Sequence, residues 1–148
     1  MPTAKDIMTK QVITVTKDTT IQALSQIFME RGVNGVPVLD DDGAVIGVVT
    51  QGDLIEQKKQ LHIPTVIALF DWVVPLESEK KFQSDVKKMT ATTVADIYHA
   101  GAVTVNVDTE LTEIATVMAE KDVHTLPVLE DGRLVGVIGK LDLIRGFA

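Results

Sequence analysis

The chain has 148 residues, a formal net charge of −7, 45% hydrophobic residues and no cysteine. That length permits a single domain with a real core, since roughly 70% of the extended surface is buried at this size. Missing cysteines exclude disulfides, thiolate metal sites and cysteine nucleophiles, and an acidic chain with 4% aromatic residues lacks the basic face and stacking rings of a nucleic-acid binder.

The first residues, Met1 to Ile7, hold no apolar signal core, so the chain reads as cytoplasmic. Val12 to Val15 predict a strand. Ile21, Leu24, Ile27 and Phe28 then recur at helical spacing, with Asp18 or Thr19 as the expected cap and Gly32 at the C′ position. Two β-branched runs, Val36 to Leu39 and Val45 to Val49, flank Asp42-Gly43 and predict a hairpin. The acidic run Asp40-Asp41-Asp42 lacks the downstream glutamate of a calcium loop and reads as a solvated turn. A helix should start near Gln51. From Glu56 to Thr93 a different segment follows, with three lysine pairs and the sole Trp, Trp72. Within it Thr65 to Trp72 predict a helix between Pro64 and Pro75, and Phe82, Val86 and Met89 a shorter one. The window from Ile63 to Leu76 is too short and too broken to span a membrane.

The rest of the chain repeats the beginning. At an offset of 90, Asp6-Ile7, Thr14-Val15, Asp18-Thr19, Val33 and Pro37-Val38-Leu39 recur as Asp96-Ile97, Thr104-Val105, Asp108-Thr109, Val123 and Pro127-Val128-Leu129. After a one-residue deletion in the turn, Asp42-Gly43, Gly47-Val48 and Asp53-Leu54-Ile55 recur as Asp131-Gly132, Gly136-Val137 and Asp142-Leu143-Ile144. With Glu30 and Glu120 this makes 18 identities over 49 aligned pairs. The duplication implies tandem β-α-β-β-α units, an α+β fold: a first repeat over 1–55, a helical insert over 56–93 and a second repeat over 94–148. Neither unit of about 50 residues buries enough surface alone. Two copies around a pseudo-two-fold axis would, and would leave two equivalent clefts, where ligand sites form.

The run Gly47-Val48-Val49-Thr50-Gln51-Gly52-Asp53 carries the most chemistry. A hydroxyl and helix-start amides can face a phosphate, and an Asp can accept from both ribose hydroxyls. Thr-x-x-Asp is equally a capping box. In the second copy, Gly139-Lys140-Leu141-Asp142, the Asp stays, the hydroxyl is lost and Lys140 adds a cation. His62 and His99 have no partners at metal-ligand spacing and read as non-functional. No nucleophile elbow, P-loop or helical His pair is present, so an enzyme is not expected.

The duplicated unit, the Gly35-Val36-Pro37-Val38 strand opening, the Asp-Gly hairpin and the Gly-x-x-Thr-x-x-Asp ending resemble cystathionine-β-synthase (CBS) domains, whose tandem pair is a Bateman module. The resemblance covers about 100 residues, in both repeats. It implies a pseudo-two-fold CBS-domain pair that binds an adenosine-containing ligand (AMP, ADP, ATP or S-adenosylmethionine) as a regulatory ligand, requires no cofactor, and forms a homodimer acting on an unknown regulated protein. It places ribose on Asp53 and phosphate on Thr50, with Asn34, Gly35, Val36 and Pro37 lining the cleft and Ala102, Val103 and Thr104 under the adenine. The mirror site would use Asp142, Leu126, Pro127, Val12, Ile13 and Thr14, and His124 would reach phosphates in the neighbouring cleft. Gly139 departs from the Ser or Thr of the family pattern. The alternative is a structural, oligomerising interaction module with no bound nucleotide.

Overall fold

A computed structural model of the chain describes residues 2–60 and 92–148. Both helices expected around Trp72 and Val86 lie outside the described residues. The elements run α1 (Ala4–Ile7), β1 (Val15–Thr16), α2 (Ile21–Arg31), β2 (Gly35–Leu39), β3 (Val45–Thr50), α3 (Gln51–Gln60), a 3-10 turn (Val94–Asp96), β4 (His99–Ala100), β5 (Val105–Asn106), α4 (Leu111–Lys121), β6 (Thr125–Glu130), β7 (Arg133–Gly139) and α5 (Lys140–Phe147). This is the expected α+β duplication, with two sheets ordered β1-β2-β3-β4 and β5-β6-β7.

The halves repeat each other pair for pair. Val15 lies beside Val38 in parallel, as Val105 does beside Val128. The hairpins pair Val36 with Val49 and Leu126 with Ile138, and each bulges after its central valine, Val38 or Val128. The Asp-Gly turns close as expected, with Gly43 and Gly132 at positive φ. Asp40 Oδ1 accepts from the amides of Asp42 and Ala44, both at 2.9 Å, which accounts for the acidic run as turn chemistry.

Two local expectations shift. The strand expected over Val12 to Val15, and its repeat counterpart over Ala102 to Val105, begin only at Val15 and Val105. Of the residues before them, Val12, Ile13, Ala102 and Val103 lie outside the strands and along clefts described below. Helix α2 is capped by Thr20, whose hydroxyl accepts from Ala23 N at 3.1 Å, one residue later than expected. Thr19 and Thr109 instead accept from the amides of Thr16 and Asn106 and close the strand-to-helix turns. Gly32 does end α2 in the left-handed region, at φ 64°.

The lead-in segments exchange partners. Ala4 is fully buried in the core of the second repeat, with Val105, Ile114, Leu126, Val128 and Ile138. Val94 occupies the matching place in the first, with Val15, Leu24, Phe28, Val36, Val38 and Val49. Thr9 and Val137 exchange reciprocal backbone hydrogen bonds of 2.8 and 3.0 Å. At the pseudo-equivalent position β4 pairs antiparallel with β3, His99 opposite Val48. Two glycines admit these crossings. A Cβ on Gly47 would sit 2.6 Å from the Tyr98 ring, and one on Gly136 would sit 2.8 Å from Met8 Cγ. Each repeat is therefore completed by the segment that leads into the other.

Candidate functional site

Each hairpin ends at the start of a helix, and both Asp residues of the repeated motif stand in that first turn. Asp53 Oδ2 accepts from the Thr50 amide at 2.8 Å, and the Asp53 amide donates to Thr50 Oγ1 at 3.2 Å. That is a complete capping box. The other oxygen, Oδ1, lies 2.6 Å from His99 Nε2. In the second repeat Asp142 Oδ2 accepts from the Gly139 amide at 2.9 Å. Thr9 Oγ1 donates to the Asp142 carboxylate at 3.3 Å, and the Arg145 guanidinium donates to Oδ1. Both carboxylates are thus held from two sides: by the amide before their own helix, and by the segment that crosses from the other repeat. His99 and Thr9 are the two members of that pseudo-equivalent pair.

Among the described residues, a cleft that reaches the wall between the repeats opens beside each carboxylate. The first, of about 430 Å³, gathers Asn34, Thr50, Asp53, Ala102, Val103 and His124 from the expected set. It also holds His99, Asp122 and Val48. The second, of about 530 Å³, gathers Asp142, Lys140, Val12, Ile13 and His124. Gly35, Val36 and Pro37, expected at the first cleft, line this second one. Thr14 and Thr104 are exposed, and neither lines either cleft. Leu126 and Pro127 are fully buried within β6 and also line neither.

The reason lies on the pseudo-two-fold axis, where β2 meets β6. A Cβ on Gly35 would stand 2.8 Å from Thr125 Oγ1, so the side chain of Thr125 fills the space that the glycine leaves. Asn34, His124 and Thr125 face both clefts, which share a wall. Asn34 is fixed from behind, its carbonyl accepting from the Gln51 amide at 2.9 Å. His124 Nε2 lies 3.5 Å from Asp122 Oδ1.

Several side chains at the clefts, Asp122 and Thr125 among them, escaped the sequence reading. His99, read there as non-functional, is the immediate neighbour of Asp53. Its repeat position, 90 residues after Thr9, is the signal that would have paired it with the Asp of the other half. Arg31 and Arg145 line the second cleft. Arg145 stands one helical turn after Asp142, a spacing at which opposite charges meet. No group of three or more potential metal ligands occurs among the described residues.

A sequence profile of the CBS domain matches residues 4–59 and 94–148. The chain belongs to the CBS-domain family. Its two CBS domains form the α+β pair expected from the duplication. Among curated relatives, protein MJ1426 of Methanocaldococcus jannaschii is 27% identical over 151 residues, covering 95% of this chain and 88% of that one. Hypoxic response protein 1 of Mycobacterium tuberculosis is 25% identical over 145 residues, covering 98% and 85%. The chain spans only 31% of another relative, MJ1404 of the same archaeon as MJ1426. Among solved structures, Arabidopsis thaliana CBSX2 in complex with AMP superposes with a TM-score of 0.73 at 24% identity, over 99% of this chain and 96% of that one. The CBS domain pair of protein MJ0100, in complex with 5′-methylthioadenosine and S-adenosyl-L-methionine, superposes with a TM-score of 0.75 at 21% identity, over 99% and 96%. These likenesses establish the fold of a CBS pair. No helix among the described residues is long and apolar enough to cross a membrane.

Proposed function

We propose that this CBS pair is a cytoplasmic regulatory module that takes an adenosine-containing ligand between its repeats (residues 1–55 and 94–148, joined by 56–93) and catalyses no reaction. One observation carries the reading. Each cleft sets a nearly buried carboxylate at the start of a helix, opposite an apolar wall, Ala102-Val103 or Val12-Ile13, drawn from the lead-in of the opposite repeat. A carboxylate beside helix-start amides suits a ribose and its 5′ substituent, and a flat aliphatic wall suits a purine face. The adenosyl ligands of CBSX2 and MJ0100 support the choice of ligand class.

The output is a population shift. Ligand binding favours one relative setting of the repeats, and a regulated protein reads that setting. A homodimer is the unit in this reading. Ile55 and Ile144, equivalent positions on α3 and α5, are 69% and 62% exposed, and Leu141 and Phe147 lie on α5 beside Ile144. Exposed apolar side chains at equivalent positions of the two repeats support a protein interface there.

A thermal-shift panel of AMP, ADP, ATP, S-adenosylmethionine and NAD tests the ligand class. Ligand at ~100 times its Kd adds about 2.7 kcal/mol, a rise of roughly 5–10 °C for a chain of this size. No movement with any adenosyl compound at millimolar concentration would sink the reading. It would favour a structural module instead, which the prior engagement of Asp53 by His99 and of Asp142 by Arg145 already fits.

A further inference from the structure

The two clefts are alike in backbone and unlike in charge. Among the described residues the second cleft is lined by Arg31, Lys140 and Arg145 against a single carboxylate, Asp142. Among the described residues the first is lined by Asp53 and Asp122, with no lysine or arginine. The repeat makes the divergence residue-specific. Glu56 stands at the position of Arg145 and Gln51 at that of Lys140. Asp122 replaces Gly32 at the end of the repeat's first long helix. Lys121, the counterpart of Arg31, lies outside the wall of the first cleft.

Opposite charge within a few ångströms attracts a multivalent anion, and like charge repels it. We infer that the second cleft takes phosphorylated nucleosides, whereas the first takes an adenosyl ligand without phosphate, neutral or cationic. Arg31 and Lys140 are the specificity-determining residues for phosphate. Both are exposed and make no ion pair or side-chain hydrogen bond with any described residue. Arg145 is partly committed to Asp142 and orients that carboxylate. The inference rests on the adenosyl reading above and adds which cleft takes which chemical class.

ADP and adenosine, which differ only in the diphosphate, are the probes, titrated calorimetrically and by amide chemical shifts on the full chain. Two regions report the clefts separately, Gly139 to Asp142 for the second and Thr50 to Asp53 for the first. ADP is expected to move Gly139 to Asp142 and to bind more tightly there than adenosine. Each exposed cation beside a phosphate changes affinity about fivefold. Arg31→Ser with Lys140→Ser should therefore weaken ADP ten- to thirtyfold and leave adenosine within twofold. If the double variant loses its cooperative melt, Lys140→Glu alone carries the same test, with a loss of at least tenfold for ADP. ADP affinity unchanged in these variants, or ADP shifts confined to Thr50 to Asp53, overturns the assignment of clefts and leaves the adenosyl reading standing. Absence of binding by both probes at millimolar concentration overturns the two together.

Discussion

Gly47→Ala should unfasten the crossing on which the first cleft depends. The added methyl would lie 2.6 Å from the Tyr98 ring and closer still to the His99 carbonyl. The His99 carbonyl is not free to yield, because β4 is paired to β3 through Gly47–Ala100 and Val48–His99. Overpacking of this kind costs about 1–3 kcal/mol, and each backbone hydrogen bond lost from the pairing about 0.5–1.5 kcal/mol more. A total loss of about 2–4 kcal/mol is expected, a large part of the ~5–15 kcal/mol that holds a domain. Gly52→Ala is the control. Gly52 is exposed in the first turn of α3, and its nearest neighbour, Thr50 Oγ1, would be 3.5 Å from the new carbon. That change should stabilise by about 0.5–1 kcal/mol, because alanine loses less backbone entropy in a helix. Urea denaturation of both variants reads the difference. His99, Ala102 and Val103 ride on the crossing segment, so Gly47→Ala should also blunt ligand-induced shifts at Thr50 to Asp53 while sparing Gly139 to Asp142. A Gly47→Ala midpoint equal to that of the unaltered chain would refute the account of why this glycine is there.

Asp53→Ala and Asp142→Ala each remove a cap and should cost about 0.5–2 kcal/mol in chemical denaturation, with each variant losing ligand response in its own cleft alone; loss of both responses from one substitution would break the separation of the clefts. Ile55→Lys with Ile144→Lys should convert a homodimer to a monomer in sedimentation velocity with helical content retained, and a sedimentation coefficient unchanged from that of the parent dimer would place the interface elsewhere. The Thr3 amide, and after it the Thr3 hydroxyl, hold the Asp6 carboxyl below the usual carboxylate range. Its contribution to stability is therefore fully present above the ordinary Asp value and fades as pH falls through the lowered one; a carboxyl-detected NMR titration of the native chain, with Asp6→Asn as reference, should show the depressed midpoint.

The legible part of this protein is local or periodic. The duplication, the Asp-Gly hairpins, the amphipathic helices and Gly32 as a helix stop all lie within short windows, where side-chain chemistry and repeat spacing speak directly. Thr50 and Asp53 were legible as a pair because a capping box joins residues three positions apart. What a capping box does not reveal is the use of the carboxylate oxygen left over. His99 reaches Asp53 from the far side of the insert, and Thr9 reaches Asp142 across 133 positions of sequence. Neither spacing has a periodicity to announce it.

Local patterns and repeat spacing therefore specify the repeated β-α-β-β-α unit, its family and the two carboxylates at the helix starts. Packing of the two repeats settles which lead-in completes which core, why Gly47 and Gly136 are glycines, and that Gly35 to Pro37 line the second cleft. It also gathered Arg31, Lys140 and Arg145 around one site and left Asp53 and Asp122 around the other. The physical reason is that packing about a pseudo-two-fold axis brings together residues from both repeats, and a cleft's charge belongs to that assembly.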